Sequence, residues 1–102
     1  MGISATAIVA ANDLLALGAL HALSERGISC PGDVSVTGYN DMPFVDRISP
    51  PLTTVRIQSY ETGRHAAAMS LKPMETGESG NPSTEVLPVE LVVRGSTGPA
   101  KG

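Results

Sequence analysis

At 102 residues and a formal charge of -3, the chain holds one domain at most, and its acidic balance argues against a phosphate-binding surface, because nucleic-acid affinity rests largely on Lys and Arg. Apolar residues make up 41% of it, yet Phe44, Tyr39 and Tyr60 are its only aromatics, so a thin core must come from Leu, Val, Ile and Ala, a mix suited to helices on a sheet. Cys30 is the single cysteine, which excludes an internal disulfide and favours a reducing cytoplasmic setting. No apolar run approaches the roughly 20 residues of a transmembrane helix, and Met1 to Thr6 lacks the basic start of a signal peptide. Met1 and Gly2 read equally well as a native start and as a start placed before an internal segment.

The first element is the continuous apolar run Ala5 to Ala11, around Ile8 and Val9, which reads as a central parallel strand buried on both faces. Asn12 and Asp13 follow, and Asn12 is a good N-cap for a helix over Leu14 to Arg26 that closes at Gly27, where positive φ is cheap. Pro31, Gly32 and Asp33 make a turn, and Val34 to Tyr39 is the next parallel strand, completing a βαβ unit. On a helical wheel the first helix carries Leu15, Ala16, Leu17, Ala19, Leu20, Ala22 and Leu23 over more than half its circumference. One sheet face cannot bury so wide a stripe. The surplus around Leu17 and Leu20 needs a second partner, either another subunit or a further piece of the same chain.

Asn40 to Pro51 is a loop, broken by Pro43, Pro50 and Pro51. Loops that follow strands are where α/β sheets bind ligands. Leu52 to Ile57 reads as a β-branched strand, Ser59 as the N-cap of a second helix over Tyr60 to about Lys72, and Pro73 as its end or kink. Glu75 to Thr84 is an exposed loop rich in Gly, Ser, Pro and Asn, Val86 to Val93 is a last strand with Pro88 at an edge or bend, and Ser96 to Gly102 is expected to fray.

Few residues carry chemistry. Asn12 sits where a strand ends and a helix begins, so its amide serves as a cap, as a hydrogen-bonding group for a ligand hydroxyl, or as both. Asn40 is either a turn residue in the left-handed region or a ligand contact. Asp41, like Asp13, suits a turn or helix start and is a weaker candidate for ligand contact. Phe44, in the same loop, either stacks on a flat ligand or packs beneath the loop. His21 and His65 lie inside helices, there is no G-x-S-x-G elbow and no triad-like acid, so the chain reads as a non-enzyme. No metal-ligand spacing and no G-x-G-x-x-G loop is present, so neither a metal nor another cofactor is expected.

Four motifs stand in order: ANDLLALGALHAL at 11–23, GISCPGDVSVTGYND at 27–41, PPLTTVRIQSYETGRHAA at 50–67 and LPVELVVRGST at 87–97. Together they resemble the C-terminal part of the effector-binding domain of LacI/GalR transcriptional regulators. The resemblance implies an α/β fold, a parallel sheet with flanking helices forming part of a type I periplasmic-binding-protein-like architecture. It further implies a C-terminal subdomain βαβ region at 5–57, a crossover helix and loop at 58–84 and a returning strand at 85–97. A small effector, sugar-like or nucleoside-like, would sit in a cleft between subdomains, with Asn12 and Asn40 at positions toward it and Asp41 and Phe44, from the same loop, as the weaker ligand-binding candidates. Members commonly carry an acid where this chain has Asn40, and an amide gives up the charge-assisted bond. Leu17 and Ile48 fall at positions that resemble the family's homodimer interface, in agreement with the surplus apolar face around Leu17 and Leu20. Operator DNA would be held through a helix-turn-helix headpiece that these residues do not contain. A sugar-binding transport protein of the same fold, or a dimerising remnant without a ligand, are the competing readings.

Overall fold

The computed structural model describes residues 5–77 and 86–100, with the backbone alone at 75 and 76. The chain divides into two compact units, one of residues 1–57 and 90–102 and the other of residues 58–89.

In the first unit, β1 (Ala7–Val9) pairs in parallel with β2 (Ser35–Thr37), Ala7 opposite Ser35 and Val9 opposite Thr37. Between them runs α1 (Asp13–Glu25), so the expected βαβ unit forms. Parallel bridges from Thr37 to Thr53 and from Asn40 to Arg56 carry the sheet on to β3 (Thr54–Arg56). There β4 (Glu90–Val92) adds antiparallel, Thr54 opposite Val92. The expected parallel pairing is thus present in β1 and β2, and the last strand returns antiparallel beside β3. The two later strands are also shorter than the runs Leu52 to Ile57 and Val86 to Val93 suggested, and Pro88, lacking an amide donor, stays outside β4.

The helix α1 begins one residue earlier than its apolar periodicity indicates, since Asn12 is extended and its Oδ1 accepts the Leu15 amide at 2.8 Å. At its other end the Gly27 amide donates to the Ser24 carbonyl and the Ile28 amide to the Leu23 carbonyl, with Gly27 at φ 68°. This pair of bonds is a Schellman closure, and it satisfies carbonyls that the helix end would otherwise leave open.

Ala16, Val36, Val45 and Leu52 form the buried core, with Ile8, Ala10, Leu20, Leu23, Cys30 and Ile48 packed around it. The expectation that β1 is central and covered on both faces does not hold. Among the described residues β1 has one paired neighbour, α1 covers the Ile8 side, and Val9 is 81% exposed. Alternation along a strand puts Val9 on the opposite face from the core, and nothing described packs there.

Residues 96–98 are anchored rather than frayed. Ser96 is buried: its Oγ donates to the Val36 carbonyl at 2.6 Å and accepts the Thr53 amide at 2.8 Å. One hydroxyl thus bridges β2 and the approach to β3 where their own pairing is sparse. Thr97 meets Thr53 Oγ1 at 2.8 Å, and the Gly98 amide donates to Ser35 Oγ. The burial that holds Ser96 also raises the Cys30 thiol pKa; its Sγ donates to the Ser96 carbonyl.

The second unit is built on α2 (Ser59–Thr76). Gln58, not Ser59, occupies the N-cap, and its side chain makes no capping bond but donates to the Pro88 carbonyl at 3.3 Å. Pro73 does not end the helix. A proline removes one backbone donor, and the helix continues to Thr76 before Gly77, at φ 71°, closes it with a bond to the Pro73 carbonyl. Glu75 and Thr76 are thus helical rather than part of the expected loop, whose stretch 78–84 lies outside the described residues.

Candidate functional site at the carboxyl ends of β1 and β2

Two segments meet at the carboxyl ends of the parallel strands: the first turn of α1 and the loop that leaves β2. Asp13 joins them. It is fully buried, its amide donates to the Tyr39 carbonyl, its Oδ2 accepts the Met42 amide at 2.6 Å and its Oδ1 accepts Thr54 Oγ1 at 2.6 Å. A buried carboxylate is tolerated when each oxygen is hydrogen-bonded, and here both are. The sequence marked Asp13 as a helix-start residue. That role is real, but the larger one is to staple α1 to the loop and to β3.

Close approach at this junction depends on Gly38. A Cβ there would overlap Asp13 Oδ1 and come within 3.0 Å of Leu52 Cδ2.

The loop itself is held by three successive amides. Asn40 donates to the Val55 carbonyl at 2.9 Å, Asp41 to Thr54 Oγ1 at 3.3 Å and Met42 to Asp13 Oδ2. Asn40, Asp41 and Phe44 all have positive φ, 116°, 57° and 74°. Asn and Asp adopt that region with modest strain, whereas Phe there is unusual. Val45 turns inward and is buried, its carbonyl accepting the Leu52 amide at 2.8 Å.

The candidate residues separate by environment. Asn12 is half-buried; its Oδ1 is committed to the cap, and among the described residues its Nδ2 donors have no acceptor. The Asn40 side chain is exposed, and no side-chain hydrogen bond engages it among the described residues. Phe44 is 70% exposed, so it does not pack beneath the loop; Val45 fills that place. Asp41 is different. Its side chain is 13% exposed, Oδ1 accepts Arg94 Nη1 at 2.8 Å and Oδ2 accepts Arg56 Nε at 2.8 Å. The bond from Arg94 first, and then that from Arg56, hold its carboxyl below the usual carboxylate range against the opposing effect of burial. Arg94 also donates to the Leu52 carbonyl, and Arg56 reaches Glu90 at 3.5 Å.

Sequence reasoning missed Arg56, Arg94 and Val45. Arginines inside β-rich runs are read as solvent-facing, and only the pairing of β3 with β4 brings these two to Asp41. No group of His, Cys, Asp and Glu fit to hold a metal occurs among the described residues.

On the apolar side, Leu20 and Ile48 pack against the core and Leu17 is half-buried, while Leu14 and Leu15 are exposed. Leu20, Leu23, Ile28, Cys30 and Pro50 line an open groove of about 310 Å³ beside them.

Comparison with known proteins agrees with the layout. The model of the periplasmic binding protein-like domain matches residues 2–97, and the lactose operon repressor of Rhizobium radiobacter is 38% identical over 90 residues, 88% of this chain and 78% of the repressor sequence. The chain belongs to the LacI/GalR family. Within that family it is also similar to the HTH-type transcriptional regulator MalR of Streptomyces coelicolor, at 44% identity over the whole chain and 29% of that regulator's length. A solved LacI family regulator from Enterococcus faecium with bound ribose superposes at a TM-score of 0.84 and 35% identity, over 97% of this chain and 37% of that one. The LacI/GalR chain described here thus spans less than a third of MalR, and its fold is the periplasmic-binding-protein-like one.

Proposed function

We propose that this LacI/GalR chain forms the effector-sensing and dimerisation portion of a DNA-binding transcriptional regulator, and that its effector is a small polyhydroxylated molecule, sugar-like or nucleoside-like. The observation that carries the reading is the pairing of two uncommitted amides, Asn12 Nδ2 and the Asn40 side chain, at the carboxyl ends of adjacent parallel strands. That is the place where open α/β sheets receive ligands, and amides offer both donors and acceptors to hydroxyls. Exposed Phe44 adds an apolar face in the same loop, suited to the flat side of a sugar ring or a base. The ribose held by the E. faecium relative belongs to the same chemical class.

Asn40 stands where an acid is common in the family, so the site trades a charge-assisted bond for a neutral one, which is about half as strong. Effector hydroxyl patterns that depend on a carboxylate acceptor should bind less well here. The half-buried Leu17, with Leu20 and Ile48 nearby, would serve a homodimer, and operator DNA would be reached only through a headpiece outside these residues. Effector binding regulates such an assembly by favouring one of two arrangements. No catalytic step belongs to this reading.

Calorimetric titration of the full-length polypeptide with D-ribose tests it. Asn40→Ala should weaken binding about tenfold, the loss of one or two neutral hydrogen bonds of roughly 1 kcal/mol each. Equal affinity in the two proteins would remove Asn40 from the site.

A further inference from the structure

The loop that presents Asn40 is strained and exposed, yet one of its side chains is neither. Asn40 and Asp41 both lie at positive φ, and such a pair persists only where its surroundings over-determine it. The backbone amides account for part of that constraint. The rest is Asp41, whose two carboxylate oxygens are taken by Arg94 and Arg56 at 2.8 Å each. Those arginines come from different places: Arg56 ends β3, one residue before Ile57, where the first unit's chain leaves it, and Arg94 follows β4, by which the chain returns. Asp41 therefore ties the start of the loop to both connecting strands at once. With Glu90 on Arg56, two positive and two negative groups balance, and both Asp41 oxygens already accept an arginine on a side chain only 13% exposed, which leaves little of it to face a ligand.

We propose that Asp41 is a positioning residue of the effector site: by holding Arg56 and Arg94 it fixes the backbone of Asn40 and so the direction of its amide, without itself touching the effector. The assignment rests on the reading of Asn40 as an effector contact, and it differs from a direct role for Asp41 in a measurable way. A residue acting through another is coupled to it, whereas two independent contacts are additive.

Asp41→Asn keeps the shape and the tolerance for positive φ but removes the charge that engages both arginines. In ligand-free protein, ¹⁵N relaxation of the Asn40 amide should show a rigid backbone, with an order parameter of about 0.85, falling below about 0.6 in Asp41→Asn. An unchanged order parameter overturns the proposal, whether or not any sugar binds. In calorimetry with D-ribose, Asp41→Asn should weaken binding about tenfold in the parent and have no further effect in an Asn40→Ala background. Equal losses in the two backgrounds would make Asp41 an independent contact and overturn the positioning role. Loosening of Asn40 in a protein that does not bind ribose would support the positioning role and count instead against the sugar reading. Arg94→Lys, which keeps a charge but lacks the planar guanidinium whose Nη1 meets both Asp41 and the Leu52 carbonyl, should reproduce part of the loosening, while complete loss of the folded spectrum would be recognised by circular dichroism and replaced by the milder Arg56→Lys as the test.

Discussion

Asp41 makes the loop's geometry depend on protonation. Its carboxyl titrates below the ordinary value of 3.8 because the bond from Arg94, and after it that from Arg56, favours the ionised form. A folded-state pKa below the unfolded one means that the unfolded chain binds the proton more readily. The stabilisation is therefore fully present above the ordinary carboxylate value and is lost as pH falls through the depressed one. Urea unfolding should show the parent more stable than Asp41→Asn near pH 6, with the gap closing as the pH is lowered below 3.8. A gap independent of pH would mean that the carboxylate is not linked to folding. Arg56 is half exposed, so its part of the effect should shrink in high salt, while that of Arg94, nearly as covered as Asp41, should persist.

Elements were legible where the local signal and the tertiary role coincide. Asn12, the apolar face of α1 and Gly27 each point to one helix, and the helix is there with the cap and the Schellman closure. Legibility failed where a residue's fate is decided by a distant partner. Ser96 reads as tail and is a buried bridge between strands; Val9 reads as core and is exposed; Pro73 reads as an end or a kink and lies within α2. In the candidate site, the positions of Asn12 and Asn40 are legible because cap and turn chemistry are local, whereas the Asp41, Arg56 and Arg94 cluster depends on β3 pairing with β4. Gly38 belongs to this second kind, a glycine in a β-rich run that matters only because α1 arrives against it. Its φ is not in the left-handed region, so the cost of a side chain there is steric alone: the added methyl meets the Asp13 carboxylate and Leu52. Gly38→Ala should destabilise the fold by about 1–3 kcal/mol, the range for overpacking, measured by chemical denaturation. A variant as stable as the parent would show that α1 can withdraw without loss, and that the Asp13 staple is weak.

At the scale of the whole molecule, the question is what the apolar surface of α1 is for. The sequence assigned the surplus to Leu17 and Leu20, but the structure divides it: Leu20 and Ile48 are partly used on the core, Leu17 is half-buried, and the exposed area is largest at Leu14 and Leu15. The homodimer proposed above would use Leu17, which is half-buried yet outside the core cluster, together with Ile48, which packs on it. Leu17→Glu tests that role. A carboxylate at a covered contact without a partner is costly, so self-association should weaken by roughly 100-fold, about 2.7 kcal/mol, and sedimentation equilibrium should show a shift toward monomer. The isolated fold should be little changed, because Leu17 is not among the residues packed on the core, and the thermal transition followed under monomeric conditions should move little. An unchanged sedimentation mass would leave α1 without a role in assembly and make a further segment of the polypeptide the partner for its apolar face; a collapse of the fold would instead place Leu17 within the core.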